Sequence, residues 1–97
     1  VYNIPGDVTE LPQNAGDPDA GLLPAAAATI PNELRLARFL GAAPPPGHGQ
    51  HRYFFVLSAL STDTLEIPPD ATPAFLGFTL REHIVGRAVL MATSHTD

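Results

Sequence analysis

Eleven of the 97 residues are proline, and that sets the first limit on the fold. Proline fixes φ and removes a backbone donor, so it is kept out of helix interiors and central strands. This is about double the usual share, which argues against long helices and for a loop-rich, β-leaning chain. Three of the prolines are consecutive, in Ala42-Ala43-Pro44-Pro45-Pro46-Gly47-His48-Gly49-Gln50-His51-Arg52-Tyr53. The prolines stiffen the backbone and Gly47 and Gly49 release it. His51, Arg52 and Tyr53 then lead into an apolar run. A rigid loop that delivers polar side chains to the mouth of a sheet suits a binding site.

A chain of 97 residues allows one small domain. Its hydrophobic fraction of 44% is that of an ordinary globular protein. The net charge is −5 and all five basic residues are arginine. An acidic surface does not neutralise phosphates, so general nucleic-acid binding is not expected. No apolar run approaches the roughly 18 residues of a membrane span, and no signal peptide is evident. Absence of cysteine excludes disulfides and thiolate metal sites, and fits a cytoplasmic, reducing compartment. The chain opens at Val1, without methionine, in what reads as the middle of a strand. The expectation is a fragment or a processed chain.

Taken in order, Val1 to Ile4 is expected as a short strand ended by the Pro5-Gly6 turn. Asp7 to Pro12 suits one helical turn capped by Asp7. Gln13 to Gly21 is a surface loop, and Leu22 to Ala28 is irregular. Thr29 to Leu40 has both helical propensity and a period of two, and is expected as loop or a short helical turn. Arg52 to Leu60 is a strand with both faces apolar, expected to be central and covered on both sides. Leu65 to Ile67 is a brief extended piece. Thr72 and Pro73 mark a helix start. Leu76, Leu80, His83 and Ile84 continue that helix towards a stop at Gly86. Arg87 to Thr93 is the last strand.

Pro44 to Phe55, and above all Gly49-Gln50-His51-Arg52-Tyr53, resembles the central signature of the phosphatidylethanolamine-binding protein family. This is the family of Raf kinase inhibitor proteins and their bacterial relatives. Val1-Tyr2-Asn3-Ile4-Pro5, Val8 to Pro12, and Leu65 to Phe75 resemble the bacterial branch. The resemblance implies a mostly β, sandwich-like Greek-key fold with one late helix. It also implies that residues 1–97 are the C-terminal part of a single domain about twice as long. An aspartate and a histidine that line the pocket in relatives would lie in the missing N-terminal half. There are departures: Glu33 stands where the family often has aspartate, and Phe39 where it often has an aromatic hydroxyl. Ala42-Ala43 replace Gly-Pro, and Ala92-Thr93-Ser94 replace Gly-Thr-Tyr.

By this resemblance His51 and Tyr53 line a small anion pocket, with backbone around Ala42, Ala43 and Pro44 forming its wall. The chemistry is sound. Imidazole and phenol donate to phosphate or carboxylate oxygens, and backbone N–H groups of a tight loop form an anion nest. His51 and Tyr53 are two apart and share a strand face. Arg52 faces the other way and is expected in a structural ion pair. His48 and His51 have a metal-like spacing only in a helix, which the prolines forbid, so neither a metal nor a cofactor is expected. Ser58, His51 and Asp63 lack a nucleophile elbow, and Ser58 has the wrong parity for His51. The reading is a binding module and not an enzyme, taking a small phosphate- or carboxylate-bearing ligand. The alternatives are inhibition of a kinase or protease through surface loops such as Gln13 to Gly21, or an inactive fragment. As a fragment it would need its missing half, a partner chain or self-association as a homodimer. His83 is expected to be packed or half-exposed, and Phe54, Phe55, Phe75 and Phe78 are expected in the core.

Overall fold

Prolines are absent between Pro46 and Pro68 and again after Pro73, and all strand and α-helix falls in these two windows. The computed structural model describes residues 1–97. Strand β1 runs His51–Leu60, helix α1 Pro73–Leu80 and strand β2 Ile84–Ser94. A single 3₁₀ turn, Pro18–Ala20, precedes them, capped by the Asp17 carboxylate, which accepts from the Asp19 N–H. The chain is therefore mostly β with one short helix.

β1 and β2 form an antiparallel two-stranded sheet. His51 lies opposite Ser94, Tyr53 opposite Ala92, Phe55 opposite Leu90 and Leu57 opposite Ala88. These share one face. Arg52, Phe54, Val56 and Ser58, opposite Thr93, Met91, Val89 and Arg87, form the other. The register slips between Ala59 and Leu60, where Val85 has no partner of its own. A bulge of this kind bends the strand and strengthens its twist.

Thr72 caps α1 as expected: its hydroxyl accepts from the Phe75 N–H at 3.1 Å, and Pro73 occupies the first turn. The helix stops at Leu80, short of Gly86. The His83 carbonyl accepts from Ser61 N–H at 2.7 Å. This bond draws the chain into the ladder, and the β-branched Ile84 and Val85 begin β2. Gly86 is thus a ladder residue opposite Ala59 and not a helix stop.

The N-terminal half is held by side-chain devices in place of regular structure. Val1 to Ile4 is reduced to one bridge, Tyr2 with Ala28. The strand ends there because Asn3 adopts φ 60°. The Asn3 side chain continues the pairing instead. Its Nδ2 donates to the Leu65 carbonyl at 3.1 Å and its Oδ1 accepts from the Leu65 N–H at 2.7 Å. Residues 5–8 close as a simple turn, with the Val8 N–H on the Pro5 carbonyl, and no helical turn forms at Asp7. Asn32 organises the next loop by accepting from the Leu34 and Leu36 N–H groups. The Gln13 to Gly21 loop is fastened to that loop twice. The Phe39 N–H donates to the Gly16 carbonyl at 2.9 Å, and Arg38 pairs with Asp17 at 3.2 Å.

Few side chains are enclosed. The buried residues are Ala15, Ile30, Pro44, Leu65 and Ala71. The radius of gyration is 14.6 Å, above the ~13 Å of a compact domain this size. The expectation that β1 is covered on both sides is not met within this chain. β1 has one strand neighbour, and Phe54, Phe55, Val56 and Leu57 are all exposed, Leu57 at 65%. Phe75 and Phe78 are exposed as well, so the four phenylalanines expected in a core are at the surface. Nothing in these 97 residues stacks a second layer on the ribbon.

Two substitutions test the local fastenings. A Cβ on Gly16 would sit 2.5 Å from the Phe39 Cβ, so Gly16→Ala must push the two loops apart. Amide exchange at Phe39 is expected to speed up about tenfold, the equivalent of ~1.4 kcal/mol within the range for overpacking. Gly6→Ala, which meets nothing within 4 Å, is expected to leave it unchanged. Asn3→Gly keeps the positive φ and removes both bonds to Leu65. Loss of a partner for a buried N–H costs about 1–3 kcal/mol, so exchange at Leu65 is expected to accelerate at least fivefold. An unchanged rate would show that the Asn3 amide is not what holds this segment.

Candidate functional site

The proline loop and the two strand ends meet at one end of the ribbon. Gly47 and Gly49 take φ values of 79° and 74°, a region closed to most side chains. Between them the loop turns back, with the His48 N–H on the Pro45 carbonyl at 3.3 Å. The Gly47 N–H reaches the Thr96 carbonyl at 3.4 Å, tying the loop to the residues beyond β2. Pro44 is buried and anchors the near side of the loop. His51 then opens β1.

Beside this loop is a cavity of about 330 Å³. The ribbon contributes Tyr53, Phe55, Ala92 and Ser94 from its His51 face, and Phe54 and Thr93 from the other. The wall of the cavity is the segment bearing Phe39, Leu40 and Ala42. Tyr53 and Ala42, both expected in the site, therefore line the same cavity. His51 is one register step further along this face, opposite Ser94 and half-buried. Its ring lies 5.8 Å from that of His48, between centroids. Ala43 is exposed beside Ala42 and is not part of the lining, and Pro44 supports the loop from beneath. The backbone N–H groups of Ala42 and Ala43 make no hydrogen bond within the chain.

Arg52 departs from expectation. It is exposed and forms no ion pair with any carboxylate of this chain. Its guanidinium instead lies over the Phe54 ring, 5.7 Å from the centroid. Residues two apart on a strand share a face, which brings the two side chains together. His83 is half-buried in the turn before β2, at the other end of the ribbon from His51.

Ser94, Ala92, Phe39 and Leu40 are among the lining residues that were not assigned from the sequence. Antiparallel register carries the signal for the first two: a strand ending at Ser94 that pairs with one starting at His51 sets their side chains together. The small Ala92 opposite Tyr53 leaves the space that a larger residue would fill. Phe39 and Leu40 have no such signal, because they arrive through the irregular loop organised by Asn32.

The cavity is mostly apolar; Tyr53, Thr93 and Ser94 bring hydroxyl groups to its lining, Ala42 lines it with its backbone N–H unbonded, and His51 lies one register step away. No carboxylate lines it. Such a site offers donors to an anion and apolar walls to whatever carries it.

The model of the family described as phosphatidylethanolamine-binding protein matches residues 1–95. The UPF0098 protein YbcL of Escherichia coli is 36% identical over 91% of this chain and 48% of its own length. A UPF0098 protein of Methanothermobacter thermautotrophicus is 37% identical over 94% of this chain and 57% of its own. The chain thus spans about half the length of the curated relatives it matches. The crystal structure of E. coli YbcL, described as a new member of the mammalian PEBP family, superposes with a TM-score of 0.91 at 33% identity. The superposition covers 98% of this chain and 58% of that one. With a match over nearly all its residues and a shared backbone, the chain belongs to the phosphatidylethanolamine-binding protein family.

Proposed function

We propose that this chain contributes one wall of a small-anion site, and that it serves as a binding module for a phosphate- or carboxylate-bearing ligand. The observation that carries this is that Tyr53 and Ala42, whose backbone N–H is unbonded, line a cavity with no carboxylate, with His51 one register step away. The family's name supports the same chemistry, since a phospholipid headgroup presents a phosphate.

The roles follow from the donor inventory. The Tyr53 hydroxyl donates one hydrogen bond to an anion oxygen. His51 donates from a ring nitrogen, and protonation adds a charge that strengthens the contact. The Ala42 and Ala43 N–H groups add neutral donors from a loop that is already stiff. Stiffness matters because each group ordered on binding costs free energy, and prolines remove most of that cost beforehand. Phe39, Leu40 and Phe55 hold the carbon skeleton attached to the anion and keep water from the donors.

Calorimetric titration with inorganic phosphate and with phosphoethanolamine tests the reading. Hydrogen bonds to charged groups contribute about 1.5–3 kcal/mol, so His51→Ala is expected to weaken binding about tenfold or more. Tyr53→Phe removes only the hydroxyl and is expected to weaken it several-fold, with the ring packing kept. His95→Ala, at an exposed position paired only with Asp97, is the control and is expected to leave affinity unchanged. Absence of binding, or binding indifferent to both site variants, would remove the proposal.

A further inference from the structure

The cavity beside the proline loop has hydroxyl and amide donors but no fixed positive charge in its lining. The chain has no lysine, and none of its five arginines lines the cavity. Arg35 donates to the Asp70 carbonyl at 2.8 Å, and Arg38 pairs with Asp17 at 3.2 Å. Arg81 follows α1, and Arg87 lies opposite Ser58, further along the ribbon. Arg52 is next to Tyr53 in sequence, but its guanidinium is laid over the Phe54 ring, whose electron-rich face attracts it. Among the histidines, His83 is at the other end of the ribbon and His95 faces Asp97 at 3.5 Å. His51 is one register step from the lining, and the His48 ring stands 5.8 Å from it. A proton on one of these rings opposes a proton on the other, so the pair favours one positive charge over two. Against this thin charge stands a broad apolar lining. Phe39, Leu40, Phe54 and Phe55 are each at least 45% exposed, and all four line the cavity.

We propose that the site selects a singly charged anion carried on an apolar body over a doubly charged phosphate monoester. The class is an aryl or alkyl phosphodiester or carboxylate. The inference rests on the anion site proposed above and specifies its ligand. Two physical effects decide it. The cost of taking an ion out of water rises with the square of its charge, so a dianion loses about four times the hydration of a monoanion. Neutral hydroxyl and amide donors offset the loss for one charge, whereas two charges call for the stronger hydrogen bonds of cationic donors. The apolar body adds a second gain, in proportion to the area that it and the Phe39, Leu40, Phe54 and Phe55 side chains remove from water. The cavity volume of about 330 Å³ is at the low end for small-molecule sites, which suits one ring and its anion.

Four probes separate charge from apolar body. Methyl phenyl phosphate and dimethyl phosphate carry one charge each. Phenyl phosphate and methyl phosphate carry two at about pH 8, above a second phosphate pKa of about 6. Titrations of the 97-residue chain are followed by the amide signals of Ala42 and Tyr53. Methyl phenyl phosphate is expected to bind at least tenfold more tightly than phenyl phosphate, and at least tenfold more tightly than dimethyl phosphate. Phe39→Ala is expected to weaken methyl phenyl phosphate at least threefold and leave dimethyl phosphate within twofold. Ser94→Arg places a cation in the lining and is expected to shift the ratio at least tenfold towards phenyl phosphate. Arg52→Gln is expected to leave that ratio unchanged. The paired fraction of the ribbon scales every affinity of a given chain equally and cancels from these ratios. Phenyl phosphate binding as tightly as its methyl ester would overturn the proposal and leave the anion site standing. So would equal affinity for the phenyl and methyl diesters, or a selective loss of phenyl phosphate in Arg52→Gln. Binding of none of the four would remove the anion site, and this inference with it.

Discussion

The pairing of β1 with β2 is the interaction on which everything else depends. It sets His51 beside Ser94 and Tyr53 beside Ala92, and it is the one long-range ladder in the chain. Yet an isolated two-stranded ribbon is marginal in water. Ladder bonds largely exchange for bonds to water, contributing about 0.5–1.5 kcal/mol each, whereas fixing a residue's backbone costs about 1–2 kcal/mol. The deficit is made up when apolar side chains are covered, at about 1.5–3 kcal/mol for each large one. Here Phe54, Phe55, Val56, Leu57, Val89, Leu90 and Met91 are all still exposed. The ribbon has the side chains of an inner strand pair without the layers that such a pair needs.

The first half of the chain solves a different problem. Five prolines before the triple-proline loop leave little room for ladders, so polar side chains stand in for them. Asn3 pairs with the backbone of Leu65 as a neighbouring strand residue would, and Asn32 gathers three backbone groups of its own loop. Arg38 and Asp17 add an exposed ion pair of small worth. These fastenings hold Phe39 and Leu40 against the ribbon, and so they form the wall of the cavity. Loop chemistry far from His51 in sequence thereby shapes the site.

What was legible in the sequence follows from how local the signal is. β1 begins one residue before the expected Arg52, because its alternation is uninterrupted and the prolines before it leave one starting point. The Thr72 cap and Pro73 identify the start of α1 for the same reason: both act within one turn. The end of that helix was not legible. His83 and Ile84 fit helical spacing, and only the bond from Ser61, twenty-two residues earlier in the chain, draws them into the strand. The same limit explains Arg52. An unbonded arginine at a strand start suggests a carboxylate partner, but a sequence does not say whether the partner lies within it. The core assignment of the phenylalanines fails on the same ground. Their pattern describes burial on two faces, and burial needs a second layer that these residues do not contain. Tyr53 and Ala42 were found because a motif carries them. Ser94 needed the register, and Phe39 needed the loop.

The two faces of the ribbon are linked through the backbone they share. His51 and Tyr53 share one face only while β1 is extended and paired, since an unpaired strand rotates them independently. A segment that covers Phe54 and Val56 binds the paired ribbon and has no comparable surface on the unpaired chain. Selective binding of this kind raises the population of the paired form. Ligand affinity on the first face is scaled by that same population. Any cover for these apolar side chains that binds only the paired ribbon therefore raises affinity for a ligand of the cavity, up to the limit set by the unpaired fraction.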